Sequence, residues 1–246
     1  MLSKRIIPQV LVRGRQLIKG KQFKSWRSVG VAMQAMKIHA MREVDELMLL
    51  DISATAEGRG PDLSLIEELS ETCFVPLTVG GGIRTVDDAR AVLRAGADKV
   101  AVCSAGLTRI REISDYFGSS TVVGVVDYDQ DHMAYTDSGT RNSGSFVLDE
   151  ARYMQDVARV GEILLQSINR EGTMLDYDTD IISLVSTLAS VPVIAAGGCS
   201  SYENMKEAFD AGADACAVGA LFQFTDSTPK GAAEYLDGKG VKVRLK

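Results

Sequence analysis

Cysteine, histidine and tryptophan are scarce in this chain: four, two and one among 246 residues. Cys73, Cys103, Cys199 and Cys216 have the spacing of neither a zinc site nor a disulfide framework, so reduced thiols and no metal are expected. No motif calls for a cofactor. Only His39 and His132 are present, and Cys199 sits in no Gly-x-Cys-x-Gly elbow. A cysteine–histidine hydrolase is thereby excluded. No apolar run approaches bilayer length. The start, Met1-Leu2-Ser3-Lys4-Arg5-Ile6-Ile7-Pro8, has no signal-peptide core and leads into a strand, so a cytoplasmic protein is expected. No linker rich in proline, glycine or serine divides the chain. A net charge of −6 argues against bulk nucleic-acid binding, while leaving room for a local basic site.

What is present is an internal repeat. Val75-Pro76 answers Val191-Pro192, Gly81-Gly82 answers Gly197-Gly198, and Ala95-Gly96-Ala97-Asp98 answers Ala211-Gly212-Ala213-Asp214. Glu46 and Ile52 answer Glu162 and Ile168, and every pair is 116 residues apart. Solenoid periods run to about 50 residues, so two copies suit two halves of one closed fold better. Strands are predicted at 5–12, 46–52, 75–79, 97–103, 121–128, 161–168, 192–196 and 214–219. Several are apolar on both faces, as buried parallel strands are. Helices are predicted at 31–43, 62–73, 85–95, 108–117, 149–159, 178–188, 201–212 and 229–238. Eight strand–helix units define an α/β protein: one (β/α)8 barrel spanning 1–246, with half-barrels of about 1–116 and 117–246. An open doubly wound sheet is the rival.

Two long loops, 13–30 and 129–148, follow strands one and five at matching places. The first carries Arg13, Arg15, Lys19, Lys21, Lys24 and Arg27, a solvated lid or a clamp on an anion. Glycine turns at Gly81-Gly82 and Gly197-Gly198 let phosphate oxygens approach backbone N–H groups. Cys103-Ser104 and Gly219-Ala220 end the neighbouring strands. Two such sites suggest a substrate with a phosphate at each end. Asp127 ends strand five and is a candidate general acid or base. Its repeat partner is Leu11. Asp51 could bind substrate or anchor its loop; Glu171, Gly172 and Thr173 could line the pocket. At the other end, Arg5, Glu46, Lys99 and Glu162 stand near strand starts, and alternation puts Arg5 on the same side as Leu11. Across the bottom mouth they would form a ring of paired charges, a structural plug or a gate.

Taken together, Lys4-Arg5-Ile6-Ile7-Pro8, Lys19-Gly20, Leu50-Asp51-Ile52, Val79 to Ile83, Gly96 to Val100, Gly161 to Leu164, Ser167 to Thr173, Tyr177-Asp178 and Ala195 to Gly198 are specific. Over essentially the whole chain they resemble the cyclase subunit of imidazole glycerol phosphate synthase. That family is a duplicated half-barrel that takes ammonia from a glutaminase subunit along the barrel axis. It joins the ammonia to a bisphosphate aminoimidazole precursor, which it cleaves and cyclises. The resemblance implies that Arg5, Glu46, Lys99 and Glu162 are the ammonia gate. It makes Asp98 part of the glutaminase-docking face and Lys19 a lysine of the substrate-closing loop, acting with Asp127.

The departures point to a branch. The family pattern Cys-Leu-Asp is here Gln9-Val10-Leu11, so one of its two catalytic aspartates is a leucine. Its Asn-Thr pair is here Cys103-Ser104, and its aspartate two residues before Thr173 is here Glu171. A paralogous branch with leucine at that place resembles the synthase half of an amidotransferase that converts acetamido to acetamidino sugars for surface polysaccharide. Phe23-Lys24 and Pro61 also fit it. The expectation is therefore an ammonia-channelling synthase component with a phosphorylated or sugar-nucleotide acceptor and negligible cyclase activity. The alternatives are a histidine-pathway cyclase that tolerates Leu11 and an inactive barrel serving as scaffold and ammonia conduit. The related phosphoribosyl isomerase fits less well, given the charged ring and the lost acid.

Overall fold

The computed structural model describes residues 3–42 and 44–245. The first two residues of the expected leaderless start and Glu43, the predicted end of the first helix, lie outside the described residues. The strands are β1 (Arg5–Arg13), β2 (Gln16–Lys21), β3 (Lys24–Val31), β4 (Leu47–Asp51), β5 (Leu77–Gly80), β6 (Lys99–Val102), β7 (Val122–Tyr128), β8 (Met133–Thr136), β9 (Arg141–Phe146), β10 (Glu162–Ser167), β11 (Val193–Ala196) and β12 (Ala215–Val218). The helices are α1 (Ala32–Ala40), α2 (Leu63–Ser70), α3 (Val86–Arg94), α4 (Leu107–Phe117), α5 (Val147–Asp156), α6 (Thr179–Leu188), α7 (Tyr202–Asp210), α8 (Ala220–Phe224) and α9 (Pro229–Gly238). Eight strands pair in parallel in the order β1-β4-β5-β6-β7-β10-β11-β12, and β12 pairs back to β1. The molecule is a single (β/α)8 barrel, and no open sheet edge is left in the ring.

The strands alternate, as a pleated chain must. Ile6, Val10, Leu49, Val100, Val126 and Leu165 face the helices in the large outer cluster. Ile7, Met48, Ala101, Val125, Leu164, Ala196, Ala215 and Ala217 form a separate cluster inside the barrel. Both faces of each strand are covered, which explains the near-continuous apolar runs.

Local chemistry repeats with the sequence. Thr85 and Ser201, 116 apart, cap α3 and α7 through side-chain oxygens. Asp62 and Asp178, also 116 apart, cap α2 and α6. The Leu77 N–H donates to Asp98 Oδ2 at 2.8 Å, and the Val193 N–H donates to Asp214 Oδ2 at 3.1 Å. The backbone bonds Asp98 N to Leu77 O (2.9 Å) and Asp214 N to Val193 O (2.8 Å) complete the two clamps.

The loops at 13–30 and 129–148 are antiparallel hairpins, β2–β3 and β8–β9, that extend β1 and β7 beyond the barrel rim. Their strands carry little apolar alternation to read: in β3 every residue is exposed or half-buried. The tight turn at Gln22-Phe23 places both residues at positive φ (54° and 56°) without the Asn-Gly signature such turns favour. The short helix α8 was also not foreseen.

Each aspartate clamp holds the start of one strand. Asp98→Ala and Asp214→Ala are expected to lower stability by about 1 kcal/mol or more each, and to add in the double variant. Urea unfolding checks this; a neutral result at either position would refute the clamp.

Candidate functional site: two ends of one barrel

At the N-terminal end four inward-facing charges close the mouth. Arg5 bridges Glu46 (2.9 Å) and Glu162 (2.9 Å), and Lys99 bridges the same two carboxylates at 3.1 and 2.8 Å. Thr78 Oγ1 donates to Glu46 Oε1 at 2.6 Å, so this carboxylate, 2% exposed, is fully partnered. Two cations and two anions cancel, which is the condition for burying them. Above the ring the interior is apolar: Ile7, Met48, Val123, Val125, Leu164 and Ile194 pack with the alanines Ala101, Ala196, Ala215 and Ala217.

At the C-terminal end lies a pocket of about 940 Å³, including the space at its mouth. Leu11, Asp51, Gly81, Gly82, Cys103, Ser104, Asp127 and Glu171 all line it. The two hairpins cover it. Gly139, in the turn of β8–β9, sits so close to Phe23 that a β-carbon there would meet its ring at 2.6 Å. Gln22 N donates to Glu171 O at 2.9 Å, tying β2–β3 to the loop after β10. Asp137 N donates to Ser104 Oγ at 2.8 Å, tying β8–β9 over the first glycine pair. Each hairpin rests on the opposite half of the barrel.

Inside the pocket, Asp127 is 6% exposed. Burial, helped by the nearby charge of Glu171, pushes its carboxyl up to about 7. The Cys103 thiol lies 4.0 Å from Asp127 Oδ2, and burial pushes it well above its ordinary value, so it stays neutral. Gln9 Nε2 donates to Gln166 Oε1 (3.1 Å), and Gln166 Nε2 donates to Glu171 Oε2 (3.0 Å). Beside the pocket is a smaller recess lined by Glu171, Gly172, Gly197, Gly198, Gly219 and Ala220. Lys19 reaches it from β2: a β-carbon on Gly219 would lie 2.6 Å from Lys19 Nζ. That ammonium is buried and has no hydrogen-bond partner. Burial lowers its pKa, opposed by Glu171. An anion in the recess would supply the missing partner.

Three predicted positions also make scaffold bonds. Asp51 Oδ1 accepts from Ser53 N (2.9 Å) and Ala54 N (3.2 Å), and Oδ2 accepts from Arg59 (2.7 Å), so it anchors its loop. Thr173 donates to Arg170 O at 2.7 Å and lines neither cavity. Asp98, at the other end of the barrel, is exposed and clamps β5. Sequence reasoning missed Gln9, Gln166, Trp26 and Arg84, which also line the pocket. The available signal was Gln166 itself, an amide at an inward position just after the apolar run Ile163-Leu164-Leu165. Among the described residues no cluster has the makings of a metal site, and no helix is long and apolar enough to cross a membrane.

A closed (β/α)8 barrel with a charged ring at one end and a lidded, carboxylate-bearing pocket at the other defines a barrel with its candidate site at the C-terminal face of the strands. The profile of the histidine biosynthesis protein family matches residues 5–228, and the chain belongs to that family. Similar proteins include the imidazole glycerol phosphate synthase subunit HisF of Chlorobium phaeobacteroides (strain DSM 266 / SMG 266 / 2430), 39% identical with both chains fully covered. That of Natranaerobius thermophilus is 38% identical over the same extent. That of Thermotoga sp. (strain RQ2) is 39% identical over all of this chain and 99% of its own.

Asp127 gives a pH-dependent stability. Its folded-state pKa lies above the ordinary 3.8, so the fold prefers the proton. Stability is therefore full near pH 4 and falls as pH rises to about 7. Asp127→Asn should stabilise the protein at pH 8 by up to about 4 kcal/mol, with the difference vanishing near pH 4. Denaturant unfolding at both pH values checks this; equal stabilities at pH 8 would contradict the buried acid.

Proposed function

We propose that this chain is the ammonia-using synthase subunit of a glutamine-dependent amidotransferase. The observation that carries the reading is the shared axis of ring and pocket. Ammonia released by a glutaminase subunit docked on the N-terminal face, near Asp98, passes Arg5, Glu46, Lys99 and Glu162 when one cation swings aside. It then crosses the apolar interior and meets the acceptor beside Asp127. The partnerless Lys19 and the glycine turns around Gly197-Gly198 and Gly219-Ala220 support an acceptor bearing phosphate. The glycines at Gly81-Gly82, with Cys103 and Ser104, form its far wall. A partner is needed because the chain has no glutaminase nucleophile set, and the relatives are themselves named as subunits.

The relatives' name supports the imidazole glycerol phosphate synthase reaction, so ring closure of the imidazole precursor is the acceptor chemistry to test first. Leu11 favours a second reading, amidation of an acetamido sugar. It is 4% exposed and pairs in register with Leu50, so the first half presents two leucines at the places where the second half presents Asp127 and Gln166. A missing acid costs typically about 10²–10⁴-fold.

Two measurements test these statements. In the complex with its glutaminase, Lys99→Ala should depress glutamine-driven turnover while ammonium-driven turnover stays near that of the parent. Equal loss with both nitrogen sources would sink the gate. For the acceptor, the purified chain and Leu11→Asp are assayed with the imidazole precursor and ammonium at alkaline pH. Turnover by the unmodified chain at about 1 per second or more establishes ring closure; activity confined to the variant shows that the pocket fits the precursor and lacks only the acid, and activity in neither leaves the sugar and the bare conduit.

A further inference from the structure

Position 11 leaves the pocket one acid short, and the geometry points to its replacement: we propose that Glu171, oriented by the Gln9–Gln166 pair, is the second acid–base group and works with Asp127. The proposal rests on the ammonia-using reading but on neither acceptor, because both begin with the same change, a carbonyl oxygen replaced by nitrogen.

The case is one of placement. Leu11 and Leu50 stand 116 residues before Asp127 and Gln166, and each pair is matched in register across two adjacent strands. The second half thus supplies a polar pair where the first supplies two leucines. Strand β1 still contributes a polar group, Gln9, one inward position below Leu11. The amide of Gln166 accepts from Gln9 and donates to the Glu171 carboxylate, so neither of its ends is free to turn. The Glu171 backbone is tied as well: its N–H donates to Ser167 O at 3.1 Å and its carbonyl accepts from Gln22. Gly172, at φ +68°, packs against the backbone of Gly20 with no room for a side chain, which fixes the turn. Glu171 is 4% exposed yet lines both the main pocket and the recess under Lys19. The titratable neighbours are Lys19 from β2, Asp127 from β7, and Cys103 after β6. Asp51 at the end of β4 is held by Arg59. A carboxylate that touches the pocket and is locked by amides rather than by a cation is preorganised for proton transfer.

The step balances. Ammonia attacks the carbonyl carbon, the C=O electron pair moves to oxygen, and oxygen takes the proton of Asp127. Glu171 removes one N–H proton from the adduct. Glu171 then returns that proton to the hydroxyl, the C–O bond breaks, and water leaves. Asp127 takes one N–H proton from the cation, leaving C=NH with both acids restored. The net change is C=O plus NH3 to C=NH plus H2O. Burial that holds Asp127 at about 7 leaves about half of it protonated at neutral pH, so that it can give and take a proton.

The test uses Glu171→Gln, Glu171→Asp and Gln9→Leu in the full chain. Ammonium chloride is the nitrogen source; the imidazole precursor and a nucleotide-linked acetamido sugar are the acceptor probes. With whichever probe the parent turns over, Glu171→Gln should lower kcat by about 10²-fold or more with KM little changed, and Glu171→Asp should recover part of the loss. Gln9→Leu, altering a positioning residue, should cost less. In parallel, carboxyl-¹³C NMR follows the Asp127 titration without any acceptor. Its midpoint should move down in Glu171→Gln, because a like charge has gone. A kcat within about threefold of the parent, well short of the usual acid–base contribution, or an unmoved midpoint, overturns the proposal. If the parent turns over neither probe, the acceptor reading has failed, and the NMR result alone decides the pairing.

Discussion

Everything in this molecule hangs on the pleat of eight closed parallel strands. Each strand offers every second residue to the axis, and closure leaves those residues no other place to go. On β1 the inward row is Arg5, Ile7, Gln9 and Leu11; on β10 it is Glu162, Leu164 and Gln166. Read from bottom to top, both rows begin charge, apolar, polar, and that of β1 ends on Leu11. The ring, the dry interior and the pocket floor are successive layers of one geometric constraint. The ring can exist because two cations and two anions arrive in the same layer and neutralise one another.

The internal repeat shows what that constraint leaves free. The capping residues Thr85 and Ser201, and the aspartate clamps at 98 and 214, are the same in both halves, because helix ends and strand starts impose the same chemistry wherever they occur. The pocket is where the halves diverge. The position that carries an acid in one half carries a leucine in the other, and the glutamine beside Asp127 answers a leucine beside Leu11. Scaffold positions answer to the fold, whereas pocket positions answer to whatever the pocket holds.

The hairpins add a second asymmetry. Each extends a strand of one half and rests on a loop of the other, so closing the mouth joins the two halves over the pocket. Their tips meet where Phe23 packs against Gly139. The strained residues of the tips, at positive φ without being glycine, are held by contacts across the mouth.

The fold was legible in the sequence because it is written in repeated, local terms. Apolar strands of five to eight residues, capped helices and a constant offset admit few closed arrangements, and the eight barrel strands fall where the patterning put them. The membership of the site was largely legible too, since glycine turns and strand-end acids mark the catalytic rim of such a barrel. The hairpins were not, because β2, β3, β8 and β9 hold their shape by pairing with β1 and β7 and by docking across the mouth, not by a hydrophobic period of their own. Thr173 looked like a pocket residue, and Asp51, which does line the pocket, looked like a free carboxylate, because residue type and position say nothing about hydrogen bonds already taken. The pairing of Gln9 with Gln166 needed the tertiary structure, since they lie 157 residues apart and only closure of the barrel brings the two amides within 3.1 Å. The sequence by itself determined the layers; which polar groups in a layer touch, and which remain free to act, was decided by the distances that closure imposes.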